Sequence, residues 1–202
     1  MRVLGPDHPG TLATRRNVAR WQGESGDPAG AAAAFEQLLT DQMRVLGPDH
    51  PDTLRARGHL ARWRGNVGNP AGAAAAYQEL LNDSLRVLGP DHPDTLATRS
   101  YLAHWQGEAG DPAGAAAALE QLLDDRLRIL GLDHPHTLRT RARLARWRGE
   151  AGDPAWAATA CAALVPDCER LLGLEHPDTI ASRRQLAYWA EQADSRPEPQ
   201  VN

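Results

Sequence analysis

Leu-Gly-Pro-Asp-His-Pro-Asp-Thr-Leu occupies residues 46–54 and returns unchanged at residues 88–96. Close variants occur at residues 4–12, 130–138 and 172–180. A fixed period of about 20–50 residues is the sequence signature of stacked structural repeats, so the period of 42 residues predicts the fold class before any other feature. The glycines that keep this period are Gly5, Gly47, Gly89, Gly131 and Gly173, and the tryptophans are Trp21, Trp63, Trp105, Trp147 and Trp189.

Each repeat carries the signals of two helices, which we call A and B. Asp27-Pro28 combines a capping side chain with a proline in the first turn, and later repeats keep this pair. Apolar residues then recur three and four positions apart, as expected for one buried helix face. We expect A helices near 11–23, 52–65, 94–107, 136–149 and 178–192, and B helices near 28–46, 70–88, 112–130 and 154–172.

The pattern inside each repeat resembles the tetratricopeptide repeat (TPR), and the longer unit is similar to the 42-residue repeats of kinesin light chains and bacterial signalling proteins. The resemblance implies an all-α, right-handed α-solenoid of stacked antiparallel helix pairs, with about nine helices. We expect one domain over residues 1–193 and a disordered tail over residues 194–202. The residues that carry the resemblance are Leu60, Ala61, Gly68, Ala73, Tyr77, Leu80 and Leu81.

Composition excludes several function classes. All 22 basic residues are arginine, which removes a phosphate loop with its lysine and any Schiff-base lysine. A net charge of −4 argues against non-specific nucleic-acid binding. We find no signal peptide and no apolar run of membrane length, and we read Cys161 and Cys168 as free thiols. These features predict a cytoplasmic protein, and the arginine bias with heavy alanine, glycine and proline is typical of a bacterial source.

One histidine stands in each link between repeats, in an acid-His-Pro context. Metal binding is one interpretation, but zinc needs three or four ligands around one point, and one histidine per repeat cannot supply them. We therefore favour capping of the A helices. No nucleophile–base pair, CxxC or HExxH motif stands out, so we expect no catalytic residue, no metal, no cofactor and no enzymatic activity.

Two recurrent residue classes have a structural and a functional interpretation. An arginine of helix A, represented by Arg57, lies within the apolar arc and needs a partner, for which Asp83 or Asp41 is suitable. Ligand anchoring is the alternative. The recurrent tryptophans are expected in the core. Trp156, which replaces the glycine of the other B helices, marks an altered end or a contact point.

The resemblance implies a concave face, lined by A helices, that binds extended peptides. We predict a protein-interaction scaffold whose basic face binds an acidic peptide or partner domain, with small glycines such as Gly23 and Gly65 admitting the ligand backbone. A solvated face balanced by acidic B helices is the competing interpretation, and nucleic-acid binding is disfavoured because stacking aromatics do not alternate with the arginines. The predicted contact residues are Arg16, Arg20, Arg55, Arg62, His104, Arg139, Arg146, Arg184 and Tyr188.

The alternative function is structural: end-to-end self-association into a homo-oligomer. Solenoids need polar terminal caps, and this array shows no evident cap at its N-terminal end and ends on an A helix without a following B helix. The alternatives are that Trp156 and Pro166 reshape the last helix pair into a cap, or that the tail folds over the last helix. Val3 and Leu4 precede the first A helix, while Leu186 and Trp189 belong to the last, so we expect these apolar residues to form complementary, uncovered ends.

Overall fold

The computed structural model describes residues 5–195, which form nine α-helices and no β-strand and so confirm the all-α fold class. Each A helix starts one or two residues before its expected position and ends one or two residues after it. Val3, Leu4 and residues 196–202 of the expected tail lie outside the described residues. The A helices are α1 (Pro9–Glu24), α3 (Pro51–Asn66), α5 (Pro93–Glu108), α7 (Pro135–Glu150) and α9 (Pro177–Asp194), and the B helices are α2 (Pro28–Val45), α4 (Pro70–Leu88), α6 (Pro112–Leu130) and α8 (Pro154–Leu172).

The chain divides into two compact units, Met1–Trp105 and Gln106–Asn202, which we call unit 1 and unit 2. In unit 1, α1 packs on α2, α2 on α3 and α3 on α4, and α1 also touches α3. Unit 2 repeats this arrangement with α6 to α9, and there α7 touches α9. Each unit is thus a stack of helix pairs in which A helices also meet each other. Single-domain behaviour of residues 1–193 stays a prediction.

Histidines start the A helices, as the capping interpretation predicted. The Nδ1 atom of His50 accepts a hydrogen bond from the backbone N–H of Asp52 at 3.1 Å, and Pro51 follows at the first helical position. This bond satisfies one of the amide groups that a helix start leaves without a partner. The same bond, at 3.0–3.1 Å, forms at His8, His92, His134 and His176.

Aspartate or asparagine side chains start the B helices, and each accepts a hydrogen bond from the backbone N–H three residues later. Asp27 accepts a hydrogen bond from the N–H of Gly30 at 2.8 Å, and a Cβ atom on Gly30 would lie 2.1 Å from the Asp27 carboxylate. Trp156 keeps the cap bond at 3.1 Å, and its ring lies 4.2 Å from the guanidinium of Arg148.

Tryptophans pack on glycines of the preceding A helix. Trp63 is 2% exposed and covers Gly23, where a Cβ atom would lie 2.4 Å from the indole ring. The glycines predicted to admit a ligand backbone are thus covered by the chain itself, which corrects that expectation. The other pairs are Trp105 on Gly65 in unit 1, and Trp147 on Gly107 and Trp189 on Gly149 in unit 2.

Trp21 departs from this pattern. Its side chain is 61% exposed, whereas Trp63, Trp105, Trp147 and Trp189 are 2–5% exposed. The prediction that all five tryptophans belong to the core is therefore wrong for Trp21. The physical reason is its place in α1, since within residues 5–195 no A helix precedes α1 to offer a glycine.

Candidate partner-binding surface

The recurrent arginines of the A helices pair with carboxylates of the following B helices. Arg57 donates to Asp83 at 2.7 Å, and both side chains are about a quarter to a third exposed, so the expected burial is only partial. Hydrogen bonds from Arg57 and then Arg86 hold the pKa of Asp83 below its usual value. Arg15–Asp41 and Arg141–Asp167 repeat the pair at 2.7 Å. This geometry supports the structural interpretation of these arginines.

Most arginines of the predicted contact face already have a carboxylate partner. Each of these pairs lies within one unit, and the acids belong to A helices rather than to the B helices that the competing interpretation invoked. Because opposite charges alternate on the A helices, the face is less basic than its arginines alone suggest. The pairs are Arg16–Asp52 at 2.7 Å, Arg20–Glu24 at 3.7 Å, Arg55–Asp94 at 3.0 Å, Arg139–Asp178 at 2.8 Å and Arg146–Glu108 at 2.8 Å.

The remaining predicted contact residues either contact a tryptophan ring or have no carboxylate partner among the described residues. Among the described residues, Arg62 and Arg184 form no ion pair with a carboxylate. The Arg62 guanidinium lies 4.8 Å from the centre of the Trp63 ring, which holds it by a cation–π contact. His104 and Tyr188 contact the rings of the tryptophans that follow them, at 4.8 and 4.7 Å. Arg62 is therefore the predicted contact arginine of unit 1 whose guanidinium has no carboxylate partner among residues 5–195.

A groove in unit 1 lies beside Arg62. It has a volume of about 120 Å³ and lies between α3, α4 and α5. A cavity of about 150 Å³ accommodates benzene, so this groove has room for one aliphatic or small aromatic side chain. We call it the Gly58 groove, and its lining residues are Leu54, Arg55, Gly58, His59, Arg62, Tyr77, Leu80, Ser84, Asp94, Ala97, Thr98 and Tyr101.

Gly58 keeps the groove open, and the sequence analysis did not single it out. The same position of the repeat holds Arg16 in α1 and Arg184 in α9. A Cβ atom on Gly58 would lie 3.4 Å from Leu80, which is ordinary contact, but a longer side chain would enter the groove. The Tyr77 hydroxyl donates to the Gly58 carbonyl oxygen at 2.7 Å and fixes one wall. The three middle repeats carry the small residues Gly58, Ser100 and Ala142 at this position, so a position-by-position comparison of the repeats would have shown the difference from Arg16 and Arg184.

His59 adds a neutral polar group to the groove. Burial, with the positive charges of Arg62, Arg16 and Arg20, lowers its pKa from 6.5 to about 4. The ring is therefore uncharged at neutral pH, and it stacks on Phe35 with ring centres 5.0 Å apart. Charge in the groove thus comes from Arg62 and from the Arg55–Asp94 pair, whereas its floor is apolar.

The apolar residues of α9 that were predicted to be uncovered pack inside unit 2. Trp189 is 4% exposed, and Leu186 packs in the same cluster against Ala145, Ala157 and Cys161. The expectation that these two side chains are exposed is wrong, because both face back into unit 2. Val3 and Leu4 cannot be placed, since they precede the described residues. Self-association of the chain stays a prediction.

Other kinds of site find no support in the described part of the chain. Residues 5–195 contain no group of three or more His, Cys, Asp or Glu side chains that could hold a metal ion. Cys161 and Cys168 are free and buried, and burial raises the pKa of the Cys161 thiol to about 11. None of the described helices is long and apolar enough to cross a membrane.

Family models described as the tetratricopeptide repeat match residues 11–52 and 66–128, together more than half of the chain. The crystal structure of nearly identical TPR-like repeats assigned to a Podosopora anserina kinesin light chain has a TM-score of 0.76 and 26% sequence identity, over 94% of this chain and 90% of that one. A variant of those repeats has a TM-score of 0.77 and 25% sequence identity, and the match covers 96% of this chain and 91% of the variant.

A more distant structure shares the fold alone. BtubC (BKLC) from P. vanneervenii has a TM-score of 0.56 and 15% identity, over 100% of this chain and 71% of that one. No curated protein sequence matches this chain. The likenesses confirm the TPR-like fold and the resemblance to kinesin light chain repeats.

Proposed function

Because the chain belongs to the tetratricopeptide-repeat family, we propose that it is a protein-interaction scaffold that binds an acidic peptide or partner domain at the Gly58 groove. Repeats of this family suggest such a scaffold. The observation that carries the finer proposal is the position of Arg62. Its guanidinium has no carboxylate partner in residues 5–195 and lines a groove with room for one side chain.

The groove offers a ligand two kinds of contact. A guanidinium presents paired N–H groups that match a carboxylate, and such charge-assisted hydrogen bonds contribute about 1.5–3 kcal/mol each. An apolar ligand side chain would enter between Leu80 and Tyr101. Full burial of a leucine-sized side chain contributes about 1.5–3 kcal/mol. The favoured ligand therefore carries an apolar anchor next to an acid.

The nine predicted contact residues contribute unequally under this proposal. Arg62 is available at once, whereas Arg16 and Arg55 must exchange a carboxylate of the chain for one of the ligand. Such an exchange gains little, because an exposed ion pair is worth about 0–1 kcal/mol either way. Arg184 is the available arginine of unit 2 and belongs to a secondary contact.

The test measures fluorescence anisotropy of a labelled ten-residue peptide that carries one leucine among aspartates and glutamates. The control peptide has the acids replaced by asparagine and glutamine. We expect the acidic peptide to bind more tightly, with an advantage that falls as salt is raised. Equal binding of the two peptides would contradict the acidic specificity.

Three substitutions locate the site. Arg62→Ala is expected to weaken binding of the acidic peptide about tenfold or more, from the loss of one charge-assisted contact. Gly58→Arg copies Arg16 and Arg184 and is expected to fill the groove, whereas Gly58→Ala makes only ordinary contact with Leu80 and serves as its matched control. If Gly58→Arg folds normally and binds like the parent chain, the groove is not the site.

The setting of this function rests on sequence features alone. Cytoplasmic location and a bacterial source are part of the proposal, as is the single domain over residues 1–193.

A further inference from the structure

Asp52 and Asp94 hold the same position in successive A helices of unit 1, but their carboxylates are paired differently. The Oδ1 atom of Asp52 accepts hydrogen bonds from Arg16 of α1 at 2.7 Å and from Arg55 of its own helix at 3.2 Å. Asp94 pairs with Arg55 alone, and both contacts, at 3.0 and 3.1 Å, use its Oδ2 atom. Within residues 5–195, the Oδ1 atom of Asp94 accepts no hydrogen bond.

Two small residues of the Gly58 groove account for this difference. Gly58 holds the position that Arg16 holds one repeat earlier, and Ala97 holds the position of Arg55. The two arginines that pair with Asp52 therefore have no counterparts around Asp94. Gly58, Ala97 and Asp94 all line the groove, and the Asp94 side chain is 34% exposed. A ligand in the groove can thus reach the Oδ1 atom of Asp94.

The groove has a cationic end and an acidic end. Arg55, which contacts Asp94, and Arg62 lie seven residues apart on α3, which is about 10 Å along the helix axis. An extended peptide advances about 3.3 Å per residue and points alternate side chains to the same side. A base, an apolar anchor and an acid at alternate positions therefore share one face and span about 13 Å, a difference that long side chains accommodate.

We propose that the ligand of the Gly58 groove carries a basic side chain as well as an acid, and that this base pairs with the Oδ1 atom of Asp94. The chain itself contains the template, because Asp52 binds two guanidinium groups at one oxygen. A ligand cation would take at Asp94 the place that Arg16 takes at Asp52. This inference rests on the proposed function and specifies its ligand as an amphoteric segment with a base, an apolar anchor and an acid.

The experiment compares four labelled peptides by fluorescence anisotropy with the full chain. Each peptide carries one leucine, a glutamate two positions to one side of it, and either arginine or glutamine two positions to the other side. Both orders of the two flanking residues are made, since the groove does not set the direction of the peptide. In one of the orders, the arginine peptide is expected to bind at least threefold more tightly than the glutamine peptide, as for one partly exposed ion pair.

Substitutions in the chain locate the partner of the base. Asp94→Asn keeps the size of the side chain and is expected to remove the preference for arginine. Asp52→Asn is the matched control, because it makes the same change at the equivalent residue of α3, which does not line the groove, and the preference should persist. Ala97→Arg copies Arg55 and should also remove the preference, since it gives Asp94 a second guanidinium from the chain.

Equal binding of the arginine and glutamine peptides in both orders overturns the proposal, as does a preference that survives Asp94→Asn or Ala97→Arg in a folded chain. Arg62→Ala separates this result from the proposed function. If binding depends on Arg62 but not on the base, the inference fails and the proposed function stands. If binding does not depend on Arg62, the proposed function fails and this inference fails with it.

Discussion

Removing one tryptophan from the stack should cost very different amounts in the first and second repeats. Trp63 is 2% exposed and lies on Gly23, whereas Trp21 is 61% exposed. Replacing a buried tryptophan by alanine costs about 3–5 kcal/mol, which includes the cavity left behind. Trp21 hides less than half of its side chain and leaves no closed cavity, so its replacement should cost about 1–2 kcal/mol by proportion.

Urea unfolding followed by helical circular dichroism measures this difference. The midpoint of Trp63→Ala should fall well below that of Trp21→Ala at similar slope. If the two substitutions lower the free energy of unfolding by amounts that differ by less than about 1 kcal/mol, the reasoning is refuted, because Trp21 would then be as buried as Trp63.

The glycine beneath the ring supplies the companion test. A Cβ atom on Gly23 would lie 2.4 Å from the Trp63 ring, so Gly23→Ala should destabilise the parent chain by overpacking. In a Trp63→Ala background the indole ring is absent, so Gly23→Ala should stabilise the helix by up to about 1 kcal/mol. The sign of the effect should therefore reverse between the two backgrounds. If Gly23→Ala has the same sign in both, the indole does not need the absent side chain.

Three further predictions concern histidines and thiols. The pKa of His59 falls from 6.5 to about 4 on folding, so the unfolded chain binds the proton first and stability should decline as pH drops through that window. The decline should shrink in His59→Tyr, which copies Tyr101; equal pH profiles in urea titrations would contradict it. His50→Ala should lower stability by about 0.5–2 kcal/mol through loss of the cap, with His50→Asn recovering part of it in the same titration, and no loss would contradict the capping role. Cys161 and Cys168 are at most 2% exposed, so a colorimetric disulfide reagent should react with them at least tenfold more slowly in the folded chain than in urea, and equal rates would show that they are accessible.

The period and the caps were sufficient to predict the helices. Asp27-Pro28 and His50-Pro51 are local signals, because a capping side chain and a proline act within one turn of the helix they start. A carboxylate partner for Arg57 was also predicted, since an arginine in an apolar arc needs a partner within reach, but the sequence left Asp83 and Asp41 open and the structure shows Asp83.

The candidate site depended on contacts between residues far apart in the chain. The sequence showed arginines such as Arg55 and Arg146 but not that Asp94 and Glu108 would neutralise them. Exposure of a side chain and its ion partners depend on which helices lie beside it, and no local pattern encodes that.

Sequence alone thus determined the all-α repeat, its helix ends and its family resemblance, because periodicity and capping are properties of short segments. Only tertiary structure decided that Gly58 opens a groove and that Gly23 receives Trp63. It also separated Trp21 from four tryptophans in equivalent positions. Identical residues acquire different roles because burial is set by the neighbouring helix pair, and α1 has none on that side within the described residues.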